Sequence, residues 1–269
     1  MNIKSNLYLI GLICMLFFIS CKKDGIDEKE EIPIIINVDT VYHILEEKYD
    51  NIINKFVYDS TYRLTKYEIY QDSFIYTYYS FLYEANVLKM VNKHNTANVV
   101  ENKYKYHYST LGILDSISTF NYTGFDYIKT DVTLLFWQNN NIDSMAEYNY
   151  IPYEIYTYRY KITYNGENIS EIYKDIFPNV WRRTTYSYNA NKHQYSNIDI
   201  VYFISNKWFY TKNSIQNYHY ESDLGSIQDF NYYYTYNKGY YPEKITIKKD
   251  GIITQEYNYK YIIEEIIEK

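Results

Sequence analysis

Five histidines, a scatter of carboxylates and two cysteines are the residues of this 269-residue chain that could do chemistry. His43, His94, His107, His193 and His219 form no HExxH and no close His-x-His pair, so their spacing builds no metal site. His107 and His219 each stand between two tyrosines and therefore face away from them on a strand, towards solvent. The carboxylates are dispersed, and a glycosidase would need two of them at a defined separation. No GxSxG elbow, P-loop or GxGxxG is present. The expectation is a protein that is not an enzyme, with no catalytic residue, no metal and no cofactor.

Cys21 has a different chemistry. Lys4 precedes the apolar run Leu7–Ser20, which is shorter than the ~20 residues of a membrane span and suits a signal peptide's hydrophobic region. The run closes in "FISC", where small Ser20 precedes Cys21 as in a bacterial lipobox; bulky Ile13 makes Cys14 the poorer candidate. Phe18 departs from the leucine usual three positions before the cysteine. Residues 1–20 read as a lipoprotein signal peptide, Cys21 as the lipid attachment site, and residues 21–33 as a charged tether without apolar periodicity. Cleavage before Cys21 would leave one cysteine, carrying lipid, and no intramolecular disulfide. The expected place is the outer membrane, facing periplasm or cell surface, with the membrane as partner through the anchor. Lys22, Lys23 and Asp24 resemble the charged export signals of Bacteroidetes surface lipoproteins.

The third resource is aromatic. The chain has 40 tyrosines against 8 glycines and 4 prolines, and a formal charge of −6 that argues against a nucleic-acid partner. Tyr, Asn, Ile and Lys all have A/T-rich codons, so genome composition is a competing reading of part of that excess. Tyrosine also favours strands. In sheets it stabilises cross-strand pairs by roughly 0.2–1 kcal/mol each. Exposed, the same rings could stack on a glycan or peptide, as could Trp137, Trp181 and Trp208, although core positions are the simpler expectation for the tryptophans. Which residues bind a ligand is unknown from sequence.

These side chains must be positioned by strands. In "YKITYNGENISEI", Tyr160, Ile162 and Tyr164 share one face while Lys161 and Thr163 take the other. Asn165-Gly166 then supplies a hairpin turn before Ile169 opens the return strand. The pattern of alternating aromatics, a turn residue and an aliphatic strand recurs from Tyr78, Tyr104, Thr184, Tyr218 and Tyr232, commonly ~25 residues apart. Weaker copies begin at Lys55 and Phe136. Only Val41–Lys55 is ambiguous and could be helical.

Tyr234, Tyr236, Asn237, Gly239 and Ile245 in "YTYNKGYYPEKI" resemble the tyrosine-rich YD/RHS-type repeat, in the degenerate form of Bacteroidetes lipoproteins. Tyr104, Tyr106, Tyr108, Gly112 and Ile117 match it, as do Tyr160, Tyr164, Gly166 and Ile169. The resemblance covers most of the chain from about Lys55. It implies a repeat-built antiparallel sheet and no activity.

The expected fold is all-β, an antiparallel meander of repeated hairpins forming a curled sheet or an open or closed barrel. Residues 34–269 are expected as a single β-repeat domain. The expected role is binding or scaffolding in the cell envelope, with glycan or protein as possible ligand. The alternative is an assembly module that pairs through sheet edges. A secreted hydrolase or a transmembrane barrel fits less well, because Lys161, Lys244 and Lys248 would interrupt a lipid-facing band.

Overall fold

A computed structural model describes residues 38–139, 141–151, 154–176, 180–192 and 213–267. The segments expected as signal peptide and tether, with Cys21, and also His193 and Trp208, lie outside the described residues. Val38–Lys269 forms one compact unit. Among the described residues it consists of sixteen antiparallel strands in a closed ring, each paired with its sequence neighbours.

The strands are β1 (Val38–Tyr49), β2 (Ile52–Tyr58), β3 (Leu64–Gln71), β4 (Phe74–Glu84), β5 (Val87–His94), β6 (Val100–Tyr108), β7 (Leu114–Tyr122) and β8 (Tyr127–Gln138). They continue as β9 (Asn141–Ile151), β10 (Glu154–Asn165), β11 (Asn168–Ile176), β12 (Val180–Lys192), β13 (Asn213–Ser222), β14 (Ile227–Tyr236), β15 (Pro242–Lys249) and β16 (Ile252–Ile267). The ring is sealed by β1 against β16, from Val38 opposite Ile267 to Lys48 opposite Asn258. Closure gives both edges a partner, as a sheet of this width requires.

Val41–Lys55 is strand, turn and strand. Asp50 takes a positive φ of 49° between β1 and β2, and β1 is paired on both sides. Tertiary pairing overrides the local helical pattern.

Alternation sorts the wall into two faces. Ile44, Phe56, Leu64, Phe81, Val91, Ile117 and their counterparts point inward and are buried. Tyrosines such as Tyr67, Tyr79, Tyr104 and Tyr186 pack over them. The rings lean along the wall: Tyr67 stacks on Tyr79 of the adjacent strand at 5.7 Å, and Tyr234 on Tyr236 of its own strand at 5.4 Å.

The sequence repeat becomes a physical one here. On the even-numbered strands an aromatic donor reaches a carbonyl of the preceding odd strand. Tyr58 donates to Ile44 at 2.8 Å, Tyr83 to Leu64 at 2.9 Å, Tyr164 to Ile142 at 3.1 Å and Tyr261 to Pro242 at 2.6 Å. Tyr188 and Tyr234 do the same to Ile169 and Ile215. In β8 the indole of Trp137 substitutes, donating to Leu114 at 2.6 Å. All these bonds lie at the end of the ring that holds Val38 and Ile267. Most copies of the repeat turn at that end; the one from Tyr218 spans β13 and β14 and turns at the other.

Removing one hydroxyl, as in Tyr83→Phe, should lower stability by ~1 kcal/mol, the net value of a buried hydrogen bond. Thermal unfolding should register this as a drop of about 2–4 °C. Tyr233→Phe, on the exposed outer face, is the control and should change nothing measurable. Equal effects would show that the hydroxyl bonds do not stabilise the wall.

Turn chemistry is equally repetitive. Asp59 Oδ1 accepts from the amides of Thr61 (2.8 Å) and Arg63 (3.1 Å), and Asn237 Oδ1 from those of Gly239 (2.9 Å) and Tyr241 (3.0 Å). The fourth loop residue then takes the left-handed conformation: Tyr62 (φ 56°), Gly112 (φ 76°) or Tyr240 (φ 64°). Such side-chain-capped loops are what Asp, Asn and Ser provide.

The inner wall as a candidate binding site

The two ends of the interior differ. Towards the end with Val38, the inner face is aliphatic and aromatic, with Ile44, Leu64, Leu88, Leu114, Ile142 and Ile169 buried. Towards the opposite end it becomes polar. Register places Asn102 opposite Asn121, Thr119 opposite Asp131 and Thr133 opposite Glu147. Tyr158 lies opposite Glu147, Tyr160 opposite Lys174, and Lys174 opposite Arg182. Each of these alternates with outward residues, so together they form a polar belt on the inside of β6–β12.

Hydrogen bonds tie the belt to the aromatic layer. Tyr160 donates to Glu147 Oε2 at 2.9 Å, and burial followed by the Glu147 charge pushes its phenol well up. The Lys174 ammonium lies 4.0 Å from the Tyr158 ring centroid and 4.8 Å from that of Tyr160, within cation–π range. Burial alone is the leading cause that raises the Tyr232 phenol to about 12. Further round, buried Glu47 accepts from Asn54 at 2.8 Å and from Tyr259 at 3.1 Å, while burial and the Glu47 charge raise Tyr259. A buried carboxylate needs such donors.

The outer face is charged. Arg183 is held by Glu171 (2.6 Å) and Glu221 (3.3 Å) in a row across β11, β12 and β13. Lys244 pairs with Glu256 at 2.8 Å, Lys260 with Glu46 at 2.7 Å and Lys66 with Glu68 at 2.6 Å. Lys103 lies 3.5 Å over Tyr127, and Lys248 4.8 Å over Tyr233.

Residues singled out by sequence fall mostly on this outer face. His107 bonds Ser118 at 3.1 Å, and His219 meets Asp229 at 2.6 Å. His94 stacks on Tyr78 at 4.2 Å, and burial depresses its pKa. His43 is buried against Tyr62 at 4.9 Å. The four described histidines lie on different strands, and no group of three potential metal ligands occurs among the described residues. Trp181 stacks on Tyr173 at 6.1 Å. The inner pair Lys174 and Arg182 escaped the sequence reading. The available signal was parity: each lies an even number of residues from an inward-facing position, Ile172 and Thr184 respectively.

No protein-family model and no curated protein matches the chain. Solved structures do. A crystal structure titled a porin-like protein from Bacteroides vulgatus ATCC 8482 superposes with a TM-score of 0.56 at 11% identity, over 82% of this chain and 99% of that one. A second porin-like protein, from Bacteroides uniformis ATCC 8492, gives 0.55 at 12%, over 82% and 98%. The likeness is one of fold. This chain is an all-β closed barrel, as those neighbours lead one to expect.

Proposed function

We propose that the chain is a lipid-anchored envelope protein whose barrel stands in water and binds a ligand along its polar inner wall. The observation that carries this reading is the polarity of the two faces. Ion pairs on several strands interrupt the exposed apolar residues of the outside, such as Val57, Leu82 and Phe136, where a membrane barrel presents an unbroken apolar band ~25 Å tall. Four strands, β2, β3, β5 and β15, have 7 or 8 residues, short of the ~9–11 that cross a bilayer. Membrane attachment would then fall to lipid on Cys21. Binding through strand addition is disfavoured, because ring closure leaves no unpaired edge among the described strands.

A second reading, a transmembrane barrel, is favoured by the porin-like neighbours. One experiment separates the two. Wild type and Cys21→Ala are expressed in a lipoprotein-processing host with labelled palmitate, and the cells are fractionated. The expected result is label on wild type alone and release of Cys21→Ala into the soluble envelope fraction. Label on both proteins would sink the anchor; an unlabelled Cys21→Ala that stays in the membrane would favour the transmembrane reading. Ligand binding is tested with a glycan and peptide panel on the intact protein.

A further inference from the structure

We propose that the inner face of β10–β15 is a binding site for an anionic saccharide. The proposal rests on the reading that the inner wall binds a ligand, and adds its chemical class. Lys174 and Arg182 are register partners on adjoining strands, both on the inner face. Like charges placed directly opposite destabilise a sheet pair. Arg183, one residue on and facing outward, shows how this wall treats a structural guanidinium: Glu171 and Glu221 clamp it. Arg182 is exposed and, among the described residues, pairs with no carboxylate. Lys249 adds a third inward cation, 5.7 Å over the Phe230 ring. In a chain of net charge −6, Lys174, Arg182 and Lys249 share this inner sector, with Glu147 of β9 hydrogen-bonded to Tyr160 at its margin.

The surroundings specify more than an anion. Lys174 lies over the rings of Tyr158 and of buried Tyr160, and the half-buried Tyr220 is the inward ring beside Arg182 that Lys174 does not cover. Tyr220 and Thr184 are partners on β13 and β12, and Ser222 lies opposite Arg182. Aromatic faces accept the C–H side of a sugar ring, hydroxyls and amides match its hydroxyl groups, and a guanidinium takes a carboxylate or sulfate through two parallel hydrogen bonds. Arg182 supplies the anion contact, Lys174 neutralises it, and Tyr220 seats the ring.

The test uses the full-length lipoprotein in detergent, titrated with three oligosaccharides of equal length: oligogalacturonate, a sulfated oligosaccharide and a neutral one. At least one anionic probe should bind tenfold or more tighter than the neutral probe, and weaken as salt rises. The first two arms distinguish carboxylate from sulfate. Arg182→Gln should cost that probe tenfold or more, whereas Arg183→Gln should stay within twofold; unchanged far-ultraviolet circular dichroism of Arg182→Gln excludes misfolding. Neutral binding as tight as anionic, Arg182→Gln without effect, or equal loss from both variants would overturn the proposal while leaving inner-wall binding in place. If no anionic probe binds, the proposal fails; if the neutral probe and peptides also fail, the inner-wall reading falls with it.

Discussion

Raising the pH above about 10, the usual phenol value, should unfold the barrel in one steep transition, with the inner tyrosines ionising during that transition rather than before it. Burial is the leading cause that raises the phenols of Tyr67, Tyr104, Tyr186, Tyr234 and Tyr261, and nearby phenols or Glu47 add to it. The sign follows from proton counts. A group whose folded pKa exceeds its unfolded value keeps its proton in the native state while the unfolded chain loses it. Its stabilisation is complete below the unfolded value and disappears as pH climbs towards the folded one. Over that window each such phenol removes about 1.4 kcal/mol per pH unit. Five together remove ~7 kcal/mol per unit, comparable with the ~5–15 kcal/mol that holds a typical domain together. The phenolate absorbance of these inner rings and far-ultraviolet circular dichroism, followed through one alkaline titration, should therefore change together. Smooth ionisation of all tyrosines near the ordinary value with the sheet intact would refute it.

Gly239→Val should destabilise the barrel by ~2–3 kcal/mol, near the upper end of what overpacking costs. A Cβ at Gly239 would lie 2.3 Å from Tyr42 Cε2 and 2.8 Å from two further atoms of the same ring. That ring is hemmed in by Tyr241 at 5.2 Å and Tyr261 at 6.2 Å, so it has little room to swing away. Gly166 is glycine for another reason: its φ is +62°, and a Cβ there would meet nothing within 4 Å. Gly166→Ala should cost only ~1 kcal/mol, through backbone conformation alone. Denaturant midpoints of the two variants measure the difference. A midpoint for Gly239→Val equal to wild type would mean the Tyr42 ring relocates freely.

Those two glycines also mark how far sequence could see. Asn165-Gly166 announces its hairpin through a local rule, and the structure obeys it. Lys238-Gly239 looks equivalent, yet the left-handed residue there is Tyr240, because Asn237 caps a five-residue loop and moves the strained position one place along. The need for glycine at 239 comes from Tyr42, distant in sequence, which no local pattern reveals. Strand identity was legible wherever alternation was undisturbed, as in β10 and β14. It was ambiguous at Val41–Lys55, where the bulge between Ile44 and Glu46 breaks the two-residue period. Sidedness of the cations was half legible. Lys161 and Arg183 follow their strands' parity to the outside, and Lys174 follows Ile172 to the inside, but a lysine at an inward position runs against the rule that the inner face is apolar.

Glu47 and Tyr259 are 212 residues apart and meet only across the seam of β1 and β16. The nascent chain makes its hairpins in order, each from near neighbours, but the ring itself cannot shut until the last strand is free. Loop-closure entropy makes this final contact the slowest to find. Until then β1 has one bare edge, and the Glu47 carboxylate lacks its phenol donor. A seam slipped by one residue would set Lys260 or Asn258, residues of the opposite facing, against Glu47 in place of Tyr259. The acid thus acts as a checkpoint on registration: ring closure is favourable only when strand sixteen arrives in the alignment that delivers Tyr259. A chain shortened by its last strand should stay a sticky open sheet, with β1 and β15 each left as an unpaired edge.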